Sequence, residues 1–269
     1  MTENNQQPVV MTIAGLDPSA GAGVLADIKT ISAFGCYGVA AVTSLTLQNT
    51  QGVFGAHHQG REVVLGQIEP LFDDFEIAAI KTGMLPTVEV IEGVAEIIST
   101  SATPRLVVDP VVRSTSGYDL IDENALSALI RNLFPLASVV TPNAAEAERI
   151  TGIAITDSRS IERAAEAIFA LGPRAVLVKG GDLPSETAAD LLLDGEGPTV
   201  FSAERLPSRN THGTGCALAA ALACLLARGL SLRESIPIAK RYITEAIINA
   251  PGLGRGHGPL NHFPPGFGL

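Results

Sequence analysis

Residues 210–216, Asn-Thr-His-Gly-Thr-Gly-Cys, carry the strongest chemical signal in the sequence. The Gly213-Thr214-Gly215 turn runs directly into an apolar stretch rich in alanine and leucine, which predicts a helix. Glycines leave the first amides of that helix unobstructed, and the positive end of the helix dipole lies behind them. We therefore predict an anion site whose natural ligand is a phosphate, bound or in transfer. An ordinary glycine turn before a buried helix is the alternative.

Polar residues also follow a series of predicted strands. They are Asp17, Gln48, Asn49, Lys81, Thr82, Asp109, Asn143 and Lys179. In open parallel sheets, ligands bind at the carboxyl ends of the strands. Together these residues predict one rim that carries acidic, amide and cationic groups, as a phosphoryl-transfer site requires.

Asn143 and Glu146 are three residues apart at the start of a predicted helix, so they share one face of its first turn. They could position a magnesium–phosphate shell through water molecules, because magnesium keeps much of its hydration. The alternative is structural, with Asn143 as the N-cap and Glu146 completing a capping box.

Lys179 ends an apolar strand before two glycines, and it could reach nucleotide phosphates as a point charge. Asp109 ends another strand, where its carboxylate could organise a metal or a substrate hydroxyl. Arg113 could support phosphate charge. The alternatives are a lysine that turns into solvent and two ordinary turn residues.

Short β-branched runs alternate with helical ones along the chain. Strands are predicted at 9–14, 38–47, 77–82, 106–109, 138–141, 175–179, 188–193 and 199–206, and helices at 23–34, 63–72, 88–98, 123–133, 144–150, 161–171, 214–227 and 232–249. This alternation predicts an α/β fold with a mostly parallel central sheet and helices on both faces. We expect residues 1–269 to form a single domain, with a flexible terminus at 1–8 and an irregular closing segment at 252–269.

The composition excludes several function classes. The 269 residues are 46% hydrophobic and 17% charged, with a net charge of −10, and they contain no dense Lys/Arg cluster. Nucleic acid and membrane surfaces are therefore not expected partners. The three cysteines form no CxxC pair, which favours a reducing compartment. The start is polar and lacks the parts of a signal peptide, so we expect a cytoplasmic protein.

Several motifs, in order along nearly the whole chain, resemble one family. They lie at residues 14–23, 26–30, 47–50, 81–85, 108–111, 141–146, 178–181, 210–216 and 256–263. Together they resemble the hydroxymethylpyrimidine/phosphomethylpyrimidine kinases of thiamine biosynthesis. The first and the 210–216 motifs are specific, whereas Asn-x-x-Glu is shared across the wider ribokinase-like superfamily.

The resemblance implies a ribokinase-like fold and an ATP- and Mg²⁺-dependent kinase. Such an enzyme phosphorylates 4-amino-5-hydroxymethyl-2-methylpyrimidine and then phosphorylates the resulting monophosphate to the diphosphate. ATP and magnesium would be bound by Asn143, Glu146, Asp109, Lys179 and Thr214, with the metal held by Glu146 and Asp109 through water. Related enzymes suggest a homodimer.

The resemblance also assigns the substrate pocket. Gln48 is similar to the family's pyrimidine-reading amide, since a glutamine both donates and accepts. Asp27 lies in the opening motif, where a carboxylate contacts the substrate, and Gly15 and Met84 would line the pocket. The alternatives are surface polarity for Asp27 and Gln48 and core packing for Met84.

Cys216 stands where many ribokinase-like kinases carry an aspartate base, and the resembled family has cysteine there. A thiol at a helix N-terminus can have a lowered pKa, so Cys216 is a candidate to accept the hydroxyl proton. In the alternative, it only packs, and Gly213, Gly215 and the adjacent amides stabilise the transferred group, because phosphoryl transfer depends mainly on positioning and charge.

The sequence departs from the family pattern at two places, and two other functions are alternatives to this interpretation. Ala20 replaces a common glycine, and the lid segment 111–117 lacks the common lysine, for which Arg113 could substitute. The closest alternative function is a pyridoxal or pyridoxine kinase, against which Gln48 argues. A more distant one is a non-catalytic binding protein on the same scaffold.

Overall fold

A computed structural model describes residues 7–102, 105–112, 117, 119–181 and 187–267. Its strands are β1 (Val9–Leu16), β2 (Tyr37–Asn49), β3 (Gly52–His58), β4 (Ile77–Thr82), β5 (Leu106–Val108), β6 (Val139–Val140), β7 (Ala175–Val178), β8 (Thr187–Asp194) and β9 (Gly197–Glu204). Its helices are α1 (Gly23–Ala33), α2 (Arg61–Asp74), α3 (Val88–Thr100), α4 (Glu123–Asn132), α5 (Ala144–Thr151), α6 (Ser158–Phe169), α7 (Thr214–Ala227) and α8 (Leu232–Ile248).

Within the described ranges the strands form one sheet in the order β3-β2-β1-β4-β5-β6-β7-β8-β9. The central strands from β2 to β7 run parallel, and β3 and the β8–β9 hairpin join the two edges in antiparallel pairing. The predicted mostly parallel sheet is confirmed. The prediction missed β3, because this half-exposed edge strand contains glycines and histidines in place of an apolar run.

Helices cover both faces of the sheet, because neighbouring residues of a strand point to opposite sides. Met11 packs into a core with α2, α3, α4 and α6, whereas Val10 packs into a second core with α1, α7 and α8. Helix α7 is apolar on nearly every side, and ten of its residues are buried. It is therefore a fixed support for whatever its first turn binds. No helix of the described residues has the length and apolar character needed to cross a membrane.

The irregular closing segment packs against the second core through His262. The Tyr242 hydroxyl donates to the main-chain oxygen of His262 at 2.9 Å. The His262 side chain is buried, and its Nε2 has no hydrogen-bond partner among the described residues. Burial, aided by the positive charge of Lys29, lowers the pKa of His262 to about 4. The folded protein therefore holds this ring neutral.

His262 makes the stability depend on pH. Its unfolded pKa is near 6.5 and its folded pKa is about 4, so the unfolded state binds more protons between these values. The free energy of unfolding should fall as pH falls through this window, by up to about 3 kcal/mol from this residue. Urea unfolding from pH 7 to pH 4 measures the slope, which His262→Gln should flatten.

The matched control is His57→Gln, since His57 is exposed on β3. It should leave the pH slope of the unfolding free energy as it is in the unmodified protein. Equal slopes in all three proteins would show that His262 does not stay neutral in the fold.

Candidate active site

A cavity of about 1240 Å³ opens at the carboxyl ends of the parallel strands. Most of the residues predicted for the rim, the substrate pocket and the anion site line it: Gly15, Asp17, Gln48, Lys81, Met84, Asp109, Asn143, Glu146, Lys179, Gly213, Thr214, Gly215 and Cys216. The side chains of Asn49, Thr82 and Asp27 are not among its lining residues. Residues far apart in the chain thus meet in one pocket, because parallel strands end at the same edge of a sheet.

The first turn of α7 forms the floor of the cavity, and we call residues 213–216 the anion loop. Gly213 caps the helix with a left-handed φ of 81°. A Cβ atom on Gly213 would lie 1.9 Å from the main-chain oxygen of Gly21, so only glycine fits there. Within the described chain, the N–H groups of Gly215 and Cys216 have no hydrogen-bond acceptor. They remain available to an anion.

Thr214 has a different local role from its two neighbours in the loop. Its N–H and its hydroxyl both donate to the main-chain oxygen of Thr211, at 3.3 and 3.1 Å. These bonds close the turn that precedes α7. Thr214 lines the cavity, but in this structure its hydroxyl is already engaged.

Lys179 faces the anion loop from the end of β7. Its Nζ lies 3.0 Å from Asp109 Oδ1 and 4.0 Å from Glu146 Oε2. Burial would lower the pKa of Lys179, but the two carboxylates raise it above its ordinary value, so the side chain is a fixed cation. The alternative, a lysine that turns into solvent, is wrong, because the side chain is only 14% exposed.

Asn143 and Glu146 form the capping box that the sequence left open. The Asn143 Oδ1 accepts from the Glu146 N–H, and Glu146 Oε2 accepts from the Asn143 N–H, both at 2.8 Å. The structural interpretation is confirmed. Both residues also line the cavity, so their role in binding magnesium and phosphate stays a prediction. The box fixes the carboxylate of Glu146 beside Lys179.

The donor set fits a hydrated magnesium ion. Asp109 and Glu146 carry two negative charges beside the single positive charge of Lys179. No group of three or more His, Cys, Asp or Glu side chains in the described ranges could ligate a metal directly. A cation held through its own water molecules is the arrangement that such a site accommodates.

The structure revises the role expected of Asp27. Its side chain has no exposed surface, because Lys81 Nζ lies 2.8 Å from Oδ2 and the Thr12 hydroxyl donates to the same oxygen at 2.6 Å. Asp27 does not line the cavity in this arrangement, so its contact with a substrate stays a prediction. Asp27 instead holds Lys81, which lines the cavity. Burial would lower the pKa of Lys81, but Asp27 raises it, so Lys81 stays charged.

The structure also revises the protonation expected of Cys216. Its thiol lies at the start of α7 beside the cavity, where a lowered pKa was expected. Burial raises the pKa of Cys216 to about 11, although Lys81 acts in the opposite direction. Burial outweighs the helix N-terminus, so Cys216 is a neutral thiol at pH 7.

The opposite side of the cavity holds Gln48, Gly15 and Met84, as predicted. A Cβ on Gly15 would lie 3.0 Å from the sulfur of Met84, so the strand presents bare backbone to the ligand there. The main-chain oxygen of Met84 accepts from the Thr43 hydroxyl at 2.6 Å. The bare backbone at Gly15, the Met84 side chain and the Gln48 amide together suit a heteroaromatic ring with polar edges.

Sequence reasoning missed His212 as a site residue. Its Nε2 lies 2.7 Å from Asp17 Oδ2 and 3.2 Å from Gln48 Nε2. Hydrogen bonds from His212 and Ser19 lower the pKa of Asp17 despite its burial, so Asp17 is a carboxylate. The available signal was the position of His212 inside the 210–216 motif.

The other end of the cavity was also missed. It is lined by β8, β9 and α8, including Asp190, Lys240 and Thr244. Lys240 Nζ forms an ion pair with Asp190, and Asp190 Oδ1 accepts from the Gly180 N–H at 3.1 Å. No motif marks these residues, because they come together only through the antiparallel hairpin and a distant helix.

The two departures from the family pattern have different outcomes. Ala20 adopts a left-handed φ of 58°, which favours glycine and explains why glycine is common there. Arg113, the candidate lid cation, lies outside the described residues.

Comparison with known proteins decides the family. The phosphomethylpyrimidine kinase family model matches residues 17–261. A hydroxymethylpyrimidine/phosphomethylpyrimidine kinase of Streptomyces coelicolor is 44% identical over 255 residues, which cover 95% of this chain and 94% of that protein. The chain belongs to the phosphomethylpyrimidine kinase family. It is a kinase, and the resemblance found in its sequence is confirmed.

Two further relatives of the chain are a bifunctional protein and a solved phosphomethylpyrimidine kinase. The thiamine biosynthesis bifunctional protein ThiED of Geobacter sulfurreducens is 47% identical over 94% of this chain, which spans only 52% of that protein. The solved phosphomethylpyrimidine kinase of Clostridium difficile is 41% identical with a TM-score of 0.79, covering 90% of this chain and 100% of that one.

The fold is shared with a second kinase specificity. A Staphylococcus aureus pyridoxal kinase, solved with AMP-PCP and pyridoxal, is 33% identical with a TM-score of 0.88. The match covers 96% of this chain and 95% of the pyridoxal kinase chain. The ribokinase-like fold implied by the resemblance is confirmed.

Gly215 tests the anion loop of this phosphomethylpyrimidine kinase family member. A Cβ there would lie 3.1 Å from Lys179 Nζ, so Gly215→Val displaces the ammonium and covers the free amides. We expect kcat to fall by about 10²–10³-fold, the usual loss when a charge-stabilising donor is removed. Steady-state kinetics measures it, and thermal unfolding reports stability.

Gly66→Val is the matched control, since Gly66 is also helical and a Cβ there meets no atom within 4 Å. It should leave kcat near the unmodified value. A folded Gly215→Val enzyme with normal turnover would contradict the anion-loop assignment.

Cys216 gives a second prediction, on pH. With a pKa of about 11, its reactivity toward iodoacetamide should still rise between pH 8 and pH 10, as read by mass spectrometry of the Cys216 peptide. Because a neutral thiol is a poor base, Cys216→Ala should slow single-turnover transfer by less than about 10²-fold. A reactivity plateau at pH 7, or a larger loss, would restore Cys216 as the base.

Proposed function

We propose that the protein transfers a phosphoryl group from ATP to the hydroxymethyl group of 4-amino-5-hydroxymethyl-2-methylpyrimidine, and then to the monophosphate. The observation that carries this proposal is the single cavity shared by Gln48, the anion loop and the Lys179 cluster. It puts an amide that can read a heteroaromatic edge and an anion site within one pocket. The curated relatives that carry this activity in their names match nearly the whole chain.

The residues divide the work by charge. The Gly215 and Cys216 N–H groups donate hydrogen bonds to the phosphoryl group during its transfer, and Lys179 neutralises the phosphates next to it. Glu146 and Asp109 would hold magnesium through water, and the ion would supply positive charge to the polyphosphate. Lys81, fixed by Asp27, adds a cation beside Cys216. The reaction then needs positioning and charge more than a strong base.

The ATP end of the cavity lies toward β8, β9 and α8. Lys179 supports this placement, because it follows β7, the strand that pairs with β8. The related pyridoxal kinase, solved with AMP-PCP, supports ATP as the phosphoryl donor. The Lys240–Asp190 pair supports the turn after Lys179 through the Gly180 N–H. Cytoplasmic location and a homodimer remain part of the proposal.

The aminopyrimidine is favoured over pyridoxal by the family and by Gln48. A primary amide pairs with both an amine and a neighbouring ring nitrogen, an edge that pyridoxal lacks. A buried polar group left unpaired costs about 1–3 kcal/mol, enough for roughly ten- to a hundredfold discrimination.

Phosphorus NMR of a completed reaction tests the proposal. With ATP, Mg²⁺ and the aminopyrimidine alcohol, the monophosphate should appear first and the diphosphate should replace it. A parallel reaction with pyridoxal is the control. A single monophosphate product, with pyridoxal the better substrate by kcat/KM, would overturn the proposal in favour of a vitamin B6 kinase.

A further inference from the structure

The direction in which the Gln48 amide faces decides which hydrogen bonds it offers a ligand. Gln48 Oε1 is placed 3.1 Å from the Thr46 hydroxyl oxygen, and Gln48 Nε2 is placed 3.2 Å from His212 Nε2. The oxygen and nitrogen ends of an amide have nearly the same shape, so the hydrogen-bonding capacity of these neighbours determines the orientation.

Thr46 requires a donor from Gln48. Its hydroxyl also lies 2.9 Å from the main-chain oxygen of Leu16, which can only accept. A hydroxyl has one proton, so Thr46 donates it to Leu16 and must accept at its other contact. The NH₂ end of Gln48 satisfies that contact, whereas its oxygen would face another oxygen without a proton between them.

His212 requires an acceptor from Gln48. Its Nε2 lies 2.7 Å from the carboxylate of Asp17, which can only accept, so Nε2 carries a proton. A protonated Nε2 cannot accept from an NH₂ group, but it can share its proton with the amide oxygen. Both neighbours therefore require the same orientation of Gln48.

His212 is held firmly enough to impose this choice. Its N–H donates to the main-chain oxygen of Gly258 at 3.2 Å, and it forms a β-bridge with Pro259. A Cβ on Gly21 would lie 2.4 Å from its ring, so the opening loop packs directly against it. The residue is 8% exposed, which leaves the ring little freedom to rotate.

We propose that His212, supported by Asp17, is a specificity-determining residue that exchanges the oxygen and nitrogen ends of Gln48 relative to their placed positions, so that its carbonyl faces His212 and its NH₂ faces Thr46. This inference rests on the proposed function for its substrate, but the proton arrangement stands on the ligand-free structure. Gln48 then offers a ligand an acceptor on the side of the anion loop, which follows His212 in the chain, and a donor on the other side.

This order matches the aminopyrimidine. Its amine lies between a ring nitrogen and the carbon that bears the hydroxymethyl group. When the amine donates to the Gln48 carbonyl and the ring nitrogen accepts from its NH₂, the hydroxymethyl group continues toward the anion loop. With the amide carbonyl toward Thr46 and its NH₂ toward His212, the hydroxymethyl group would point away from the anion loop.

The same order disfavours pyridoxal. Pyridoxal carries an aldehyde oxygen, an acceptor, beside its hydroxymethyl group, where the pyrimidine carries its amine. That oxygen would face the Gln48 carbonyl with no proton between them. His212 thus selects by rejecting the wrong ring as well as by binding the right one.

Nitrogen NMR of protein labelled in its five histidines tests the proton arrangement without any substrate. The His212 signal, assigned by its loss in His212→Asn, should show a protonated Nε2 at neutral pH. In Asp17→Asn, the new side-chain amide can donate a hydrogen bond to Nε2, so Nε2 no longer has to carry a proton. An unprotonated Nε2 in the unmodified protein would overturn the proposal.

Kinetics with both alcohols tests specificity. Thr46→Val removes the acceptor for the NH₂ end, so the ratio of kcat/KM for the aminopyrimidine to that for pyridoxal should fall about tenfold or more. Thr46→Ser keeps the hydroxyl and should recover most of the ratio. His57→Asn, on the exposed part of β3, is the control and should leave the ratio unchanged.

The outcomes separate this inference from the proposed function. An unchanged ratio in folded Thr46→Val would overturn the specificity role, even if the diphosphate still forms. If the product assay instead gives only a monophosphate, the proposed substrate fails, while a protonated His212 Nε2 still supports the orientation of Gln48.

Discussion

The whole site depends on one contact between two stretches of main chain. Gly213, at the start of α7, lies so close to the oxygen of Gly21 that no side chain could come between them. This contact joins the loop after β1 to the loop before α7, although almost two hundred positions separate them in the chain. Because α7 is buried on nearly every side, its first turn cannot move away, and the anion loop and the substrate wall keep a fixed separation.

Two buried ion pairs set the electrostatics around this contact. Lys81 with Asp27 lies behind Cys216, and Lys179 with Asp109 lies in front of the anion loop. Buried pairs contribute little net stability, but removing one partner is strongly destabilising, by about 3–5 kcal/mol. Their value here is positional, because each carboxylate holds an ammonium group beside the anion loop.

The sequence predicted most of the fold, because strand and helix periodicity is local. The α7 boundaries agree with the prediction, and six of the eight predicted rim residues meet in one cavity. Prediction from sequence failed for properties that depend on packing between residues far apart in the chain. Cys216 has the neighbours of an acidic thiol in sequence, but burial determines its pKa. Asp27 looked like a ligand-facing carboxylate until Lys81, from a strand far along the chain, covered it. Asp190 and Lys240 had no motif at all.

The contacts of His212 with Gly258 and Pro259 have a consequence for biosynthesis. The loop that carries His212 into the cavity is braced by residues that leave the ribosome after every described strand of the sheet and both long final helices. A nascent chain can therefore build its α/β scaffold before its pocket has its final shape. Ligand binding then reports that synthesis has passed position 259, and a chain interrupted shortly before it would keep the scaffold but lose the brace.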